Sequence, residues 1–378
     1  MRIVRAAAVL IGLLSATLAH ATAQRTFVST AGVDNPACSL VAPCRAFGAA
    51  IAAVSPGGEV IALESGGYGP VTITKSVSII APAGIYAGIS VLTGDGVTVN
   101  APAATVVLRG LSIIGQGGSS GISVQAAARV RVENCVISGM ASDGIHVTAA
   151  GAELSVLDTI VRDNGGTGIG VAADIPSISL NHVRSEHNAV DGFHVAPAPG
   201  SPGAIATVAD SVFAHNGANG IGADEVSGAT TTITVERSVM ASNGLDGFVV
   251  NEDAGGYGVA AVSRNAINDN GGNGISVGGN MQGTASDNVL KRNSGYGVLR
   301  SSALAPSAFV TLAGNVLVAN LTGGIRATGT GARLELSANT SLDTIECANN
   351  AAIYTFGNNP LLPIDHFTGC VVIPVGLK

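Results

Sequence analysis

Apolar and polar residues alternate with a period of two in short runs along most of this chain, as in Ile145-His146-Val147, Phe193-His194-Val195 and Ile275-Ser276-Val277. That period predicts short strands with one buried face. Each of these runs follows a glycine, and the glycines recur. Gly121, Gly144, Gly168, Gly192, Gly220, Gly247, Gly274, Gly297 and Gly324 lie 23 to 28 residues apart, each followed by an apolar residue. A repeat of that length marks a solenoid.

An asparagine stands four residues before most of the glycines: Asn164, Asn188, Asn216, Asn243, Asn270, Asn293 and Asn320. Three strands and three turns fit into about two dozen residues, which makes one coil of a parallel β-helix. A lone coil can neither bury its inward side chains nor pair its edges, so coils must stack, about 4.8 Å apart. Stacking sets like upon like. The asparagines are expected to form a column that hydrogen-bonds along the axis and tolerates left-handed turns. We read that column as scaffold. The expected fold is all-β, a single-stranded right-handed parallel β-helix solenoid of about 11–12 coils. Gly58 to Leu63, Gly69 to Ile73 and Val77 to Ile80 read as degenerate early coils, and Phe47, Ile51 and Val54 show the spacing of a short cap helix.

Composition removes several alternatives. With 52 glycines, 3% aromatic and 11% charged residues, the chain is too apolar for disorder. Residues 1–23 read as a signal peptide, with Arg2 and Arg5, an apolar run from Ala6 to Leu18, and Ala21-Thr22-Ala23 before Gln24. The expectation is therefore an exported protein, periplasmic, secreted or at the cell surface, with no membrane span after cleavage. Removing Arg2 and Arg5 leaves 16 Lys and Arg against 25 acids, a net charge of about −9. Nucleic acid is a poor partner for such a surface. Oligomeric state stays open.

Export allows disulfides. The cysteines suggest a cap at 24–57 closed by Cys38–Cys44, repeats at 58–340, and a C-terminal coil and cap at 341–378 closed by Cys347–Cys370. Cys135 is left over as one free thiol.

These glycine-centred coils, from Arg25 to Gly357, resemble the pectate-lyase-like right-handed β-helix superfamily, within the carbohydrate-binding and sugar-hydrolase repeat group that includes NosD-type periplasmic proteins. The resemblance implies the fold. It does not select an activity, since members include lyases, hydrolases, epimerases, tailspikes and adhesins. It also implies that the strand after each glycine belongs to the sheet whose outer face and flanking loops make the substrate groove. Loops lengthen there, from Ala196 to Gly203 and from Asp224 to Gly228.

The outward position two residues after the glycine reads Ser123, His146, Gly170, His194, Gly222, Val249, Ser276. Two imidazoles thus project two coils apart, about 10 Å by coil spacing, with a glycine between them as a notch. Asp143 and Asp191 precede them in Asp-Gly-apolar-His motifs, so each carboxylate could orient a histidine for acid–base work. We take His146, His194, Asp143 and Asp191 as candidate catalytic residues, and Ser123, Gly170, Gly222, Asp224, Glu225, Glu252 and Tyr257 as candidate binding residues. Asp224, Glu225, Asn251, Glu252 and Asp253 could also converge on Ca²⁺. No other cofactor is expected. His187 and His215, equivalent in adjacent coils, read as exposed turn histidines and not as a metal site. With no Trp and five Tyr, the chain offers few stacking platforms for sugar rings.

No Arg or Lys precedes Arg326 in this column, although elimination on a uronate needs the substrate carboxylate neutralised. The expectation is accordingly an exported scaffold whose lateral face binds polysaccharide or a surface partner without catalysis. The alternatives are a polysaccharide lyase or epimerase using His146 and His194, and a purely structural or adhesive surface protein.

Overall fold

The computed structural model describes residues 23–224, 226–251, 256–302, 309–360, 366–368 and 371–375. The signal-peptide segment, Glu225, Glu252, Asp253 and Cys370 lie outside the described residues, apart from Ala23 at the segment's end. Three parallel sheets of 15, 13 and 12 strands run the length of the chain, each ordered so that successive coils are neighbours. The architecture is the right-handed parallel β-helix, with a helix at Phe47–Ala53 near its start. One coil shows the plan: Arg129–Glu133 lies in the 15-stranded sheet, Val136–Ser138 in the 12-stranded sheet and Ile145–Val147 in the 13-stranded sheet.

Stacking is in register. Ile122, Ile145, Ile169, Phe193, Ile221, Phe248 and Ile275 pair one on the next along the 13-stranded sheet, and all are at most 1% exposed. Burying one such side chain contributes roughly 1.5–3 kcal/mol. The residue between two inward apolar positions must therefore point outward, which is how the sequence period builds the candidate face.

The repeated glycine is a packing requirement. A Cβ on Gly220 would lie 2.6 Å from the carbonyl oxygen of Gly247 and 2.9 Å from Asn243 Nδ2, so no larger residue fits where the chain crosses above the next coil. The asparagines form a ladder beside it. Asn188 Nδ2 donates to Asn216 Oδ1 at 3.0 Å, Asn216 to Asn243 at 3.0 Å, and Asn243 to Asn270 at 2.9 Å. The left-handed turn is not made by these asparagines, as the sequence suggests, but by the residue before each. His187, His215, Ser242 and Asp269 have φ of 56°, 57°, 56° and 59°. That residue turns the corner, and the next side chain drops into the core.

A second ladder was not apparent from the sequence. Asn265 donates to Asn288, Asn288 to Asn315 and Asn315 to Asn339 along the axis, at 2.9–3.0 Å. Ser211 and Ser238 extend it toward the N-terminus.

At the N-terminal end, Phe47 packs its ring 5.0 Å from that of Tyr68, and a disulfide joins Cys38 and Cys44. Val54, expected in the helix, instead opens the strand Val54–Ala62. Cys135 is a buried free thiol. Burial pushes it up to about 11.

Candidate functional site

His146 and His194 sit at the centres of the strands Ile145–Val147 and Phe193–Val195, with Gly170 of Ile169–Val171 between them in register. Both histidines therefore leave the same sheet on its outer face. Their side chains are 38% and 24% exposed.

Each imidazole is held by the aspartate three residues before it. His146 Nδ1 lies 2.7 Å from Asp143 Oδ2, and His194 Nδ1 lies 2.7 Å from Asp191 Oδ2. The other oxygen of each carboxylate is anchored to the next coil. Asp143 Oδ1 accepts from the Thr167 backbone N–H at 2.8 Å; Asp191 Oδ1 accepts from the Asn219 N–H at 2.7 Å and its side chain at 2.9 Å. The aspartates are thus turn locks whose spare oxygen orients a ring.

The two sites then diverge. His194 Nε2 meets Asp224 Oδ2 at 3.1 Å, and Asp224 Oδ1 accepts from Asn251 Nδ2 at 2.8 Å. Burial would discharge this ring, but the hydrogen bonds and charges of Asp191 and Asp224 prevail and raise its pKa to about 9. His194 is an imidazolium at neutral pH, and its hydrogen bond holds the Asp224 carboxyl below the usual range. His146 has no such second acid among its hydrogen-bond partners. Asp143 raises its pKa through the hydrogen bond, more than burial lowers it, with Asp95 adding a charge contribution. Its Nε2 has no hydrogen-bond partner among the described residues.

Gly170 and Gly222 do not form an open notch. A Cβ on Gly222 would lie 2.7 Å from His194 Nδ1 and 3.2 Å from Asp191 Oδ2, and one on Gly170 would lie 3.0 Å from Asp143 Oδ2. The histidine–aspartate pair of one coil leans across the glycine of the next, which is why a small residue must follow each histidine in the column. Ser123, in register with His146, is only 6% exposed. Tyr257 lies elsewhere: it opens the strand Tyr257–Ser263 of the 15-stranded sheet. Asp224 is committed to His194 and Asn251. Its proposed calcium partners Glu225, Glu252 and Asp253 are outside the described residues, and no metal-binding group of three or more His, Cys, Asp or Glu occurs among the described ones.

One regularity escaped the sequence reading. Asp95, Asp143, Asp191 and Asp246 each precede a repeat glycine in every second coil, and Ser120, Thr167, Asn219 and Asn273 from the intervening coils donate their backbone N–H to them. The visible signal is the recurring Asp-Gly pair. From Val71–Ile73 to Ile275–Val277 the strands of this sheet hold no Lys or Arg. The first outward cation is Arg326, whose Nη1 donates to Tyr296 Oη at 2.7 Å, and Tyr296 in turn donates to Glu346 at 2.8 Å.

Comparisons with known proteins agree with this fold. The sequence model described as "Right handed beta helix region" matches residues 71–202 and 200–361. Among solved structures, pectate lyase Pel9A superposes with a TM-score of 0.55 at 17% identity, covering 82% of this chain and 78% of its own. The A-module of Azotobacter vinelandii mannuronan C-5 epimerase AlgE4 gives a TM-score of 0.56 at 15% identity, covering 85% and 91%. The A-module of epimerase AlgE6 from the same organism gives 0.55 at 18% identity, covering 84% and 91%. At these identities the likeness is one of fold. No curated protein sequence matches the chain.

Proposed function

The chain belongs to the right-handed β-helix family, and from that premise we propose that it is an exported scaffold whose 13-stranded sheet binds a neutral polysaccharide without cleaving it. The observation that carries the absence of catalysis is the Asp191–His194–Asp224 group. Both ring nitrogens and all four carboxylate oxygens are engaged within the protein. A general acid or base needs a proton site open to the substrate and a pKa near the working pH. His194, raised to about 9, meets neither condition, and hydrolysis by paired carboxylates needs free oxygens that Asp191 and Asp224 lack.

The charge of the face supports the neutrality of the ligand. Asp95, Asp143, Asp191, Asp224 and Asp246 lie along a face whose strands from Val71–Ile73 to Ile275–Val277 hold no Lys or Arg, and His146 and His194 are paired with three of these acids. A polyuronate would bring one carboxylate per sugar against this surface, whereas uncharged hydroxyls can bond to His146 Nε2 and to the polar side chains around it. The histidine pairs recur at two coils, about 10 Å, close to the length of one disaccharide in an extended glycan. The disulfide fits an oxidising compartment outside the cytoplasm, and no helix among the described residues is long and apolar enough to cross a membrane.

Incubation with a panel of neutral and uronate polysaccharides, followed by binding and by sugar analysis, tests the reading. The expected result is retention of a neutral glycan that is recovered intact. Unsaturated or epimerised product from a uronate chain would assign His146 a base's role instead, since its Nε2 is free and Asp143 orients it. Binding of none would leave a structural or adhesive protein.

A further inference from the structure

Away from that face, on the corner between the 12- and 13-stranded sheets, His187 and His215 stand on adjacent coils. We propose that they form a binding site for a borderline divalent transition ion, with Cu²⁺ held most tightly. Their rings stack with centroids 4.9 Å apart and planes 16° from parallel. That arrangement is built in. Both residues hold the left-handed conformation, at φ 56° and 57°, so both side chains leave the backbone in the same direction. The residues before them, Glu186 and Ala214, are paired in register. The residues after them, Asn188 and Asn216, are buried rungs whose backbone and side-chain hydrogen bonds of 3.1 and 3.0 Å fix the two coils at one spacing.

The rigid backbone sets the two imidazoles one coil apart, within reach of a single ion. Zinc and copper take nitrogen at about 2.0–2.1 Å, so a shared ion bound by neighbouring positions needs the two ligating nitrogens about 3 Å apart with their in-plane lone pairs converging. The stacked rings must turn about their side-chain bonds to reach this, and both side chains are exposed and able to turn. Neither ring has a hydrogen-bond partner among the described residues. The neighbouring acid Glu186 is taken by Arg184 at 2.9 Å. No third His, Cys, Asp or Glu joins the pair among the described residues, so water completes the coordination. Imidazole donors favour Cu²⁺ over Zn²⁺ in the usual order of divalent ions, and the ion replaces the protons of the rings, so affinity falls in acid.

The experiment is a Cu²⁺ titration of the mature, tag-free chain at neutral pH by calorimetry and electron paramagnetic resonance. The variants are His187→Asn and His215→Asn, because asparagine tolerates the left-handed backbone and both sites are exposed. We expect one Cu²⁺ per chain with hyperfine structure from two nitrogens, an affinity lowered at least 10-fold in either variant, and unchanged melting in chelator. His182→Asn should bind as the parent does. An affinity unchanged in both variants, a loss in only one of them, a one-nitrogen signal, or no stoichiometric binding would each overturn the paired site.

Discussion

His194 keeps its proton because Asp191 and Asp224 approach it from opposite sides, at 2.7 and 3.1 Å, and together they outweigh the burial that would remove it. Its folded pKa of about 9 exceeds the ordinary histidine value of 6.5, so folding is linked to protonation. The stabilisation is fully present below about pH 6.5, fades as pH rises from there, and is lost above about pH 9. It is on the order of 3 kcal/mol for a shift of this size. Melting temperature measured from pH 6 to 10 should therefore fall through this window in the parent and fall less in His194→Gln, which lacks the proton. His146, with one carboxylate and a free Nε2, remains the residue able to meet a ligand. This division was only partly legible in the sequence. The Asp-Gly-apolar-His motif reveals both pairs, but Asp224 lies 30 residues from His194 and one coil away. Nothing local marks it as the third member, so its carboxylate reads equally well as a cation ligand.

Among the elements, the asparagine ladders hold the corners of the coils together. The first was legible because the same residue recurs at a fixed distance before each glycine. The second was hidden because Ser211 and Ser238 occupy its upper rungs; hydroxyls satisfy the same backbone N–H, and the changed identity masks the period. The turn histidines were legible in part: sequence places His187 and His215 at equivalent exposed positions, but the stacking of their rings follows from the shared left-handed backbone. Asn270 shows what a rung does. Its Oδ1 accepts from the backbone and side chain of Asn243 at 3.1 and 2.9 Å, while its Nδ2 donates to the Met240 carbonyl at 3.1 Å and to Asn293 at 2.9 Å. Asn270→Ala strands several buried polar groups at roughly 1–3 kcal/mol each. Urea unfolding should register a loss of about 3 kcal/mol or more, against less than about 0.5 kcal/mol for an exposed surface substitution.

Across the whole molecule, winding turns a sequence interval of about two dozen residues into a vertical step. The aspartates of every second coil thereby become one acidic line on the 13-stranded sheet, while cations gather elsewhere, as in the Arg237–Asp210 and Arg292–Asp269 pairs on exposed turns. The fold, shared with a pectate lyase and mannuronan epimerases, here carries an acidic line, and the ligand we propose for it is accordingly a neutral glycan. The most direct test is calorimetric titration of the parent and of His146→Ala with a neutral hexasaccharide and with a polyuronate of equal length. Heat is expected only with the neutral sugar, with a roughly 10-fold weaker affinity in the variant and intact sugar afterwards. Preferential binding of the polyuronate, or an affinity untouched by His146→Ala, would contradict it.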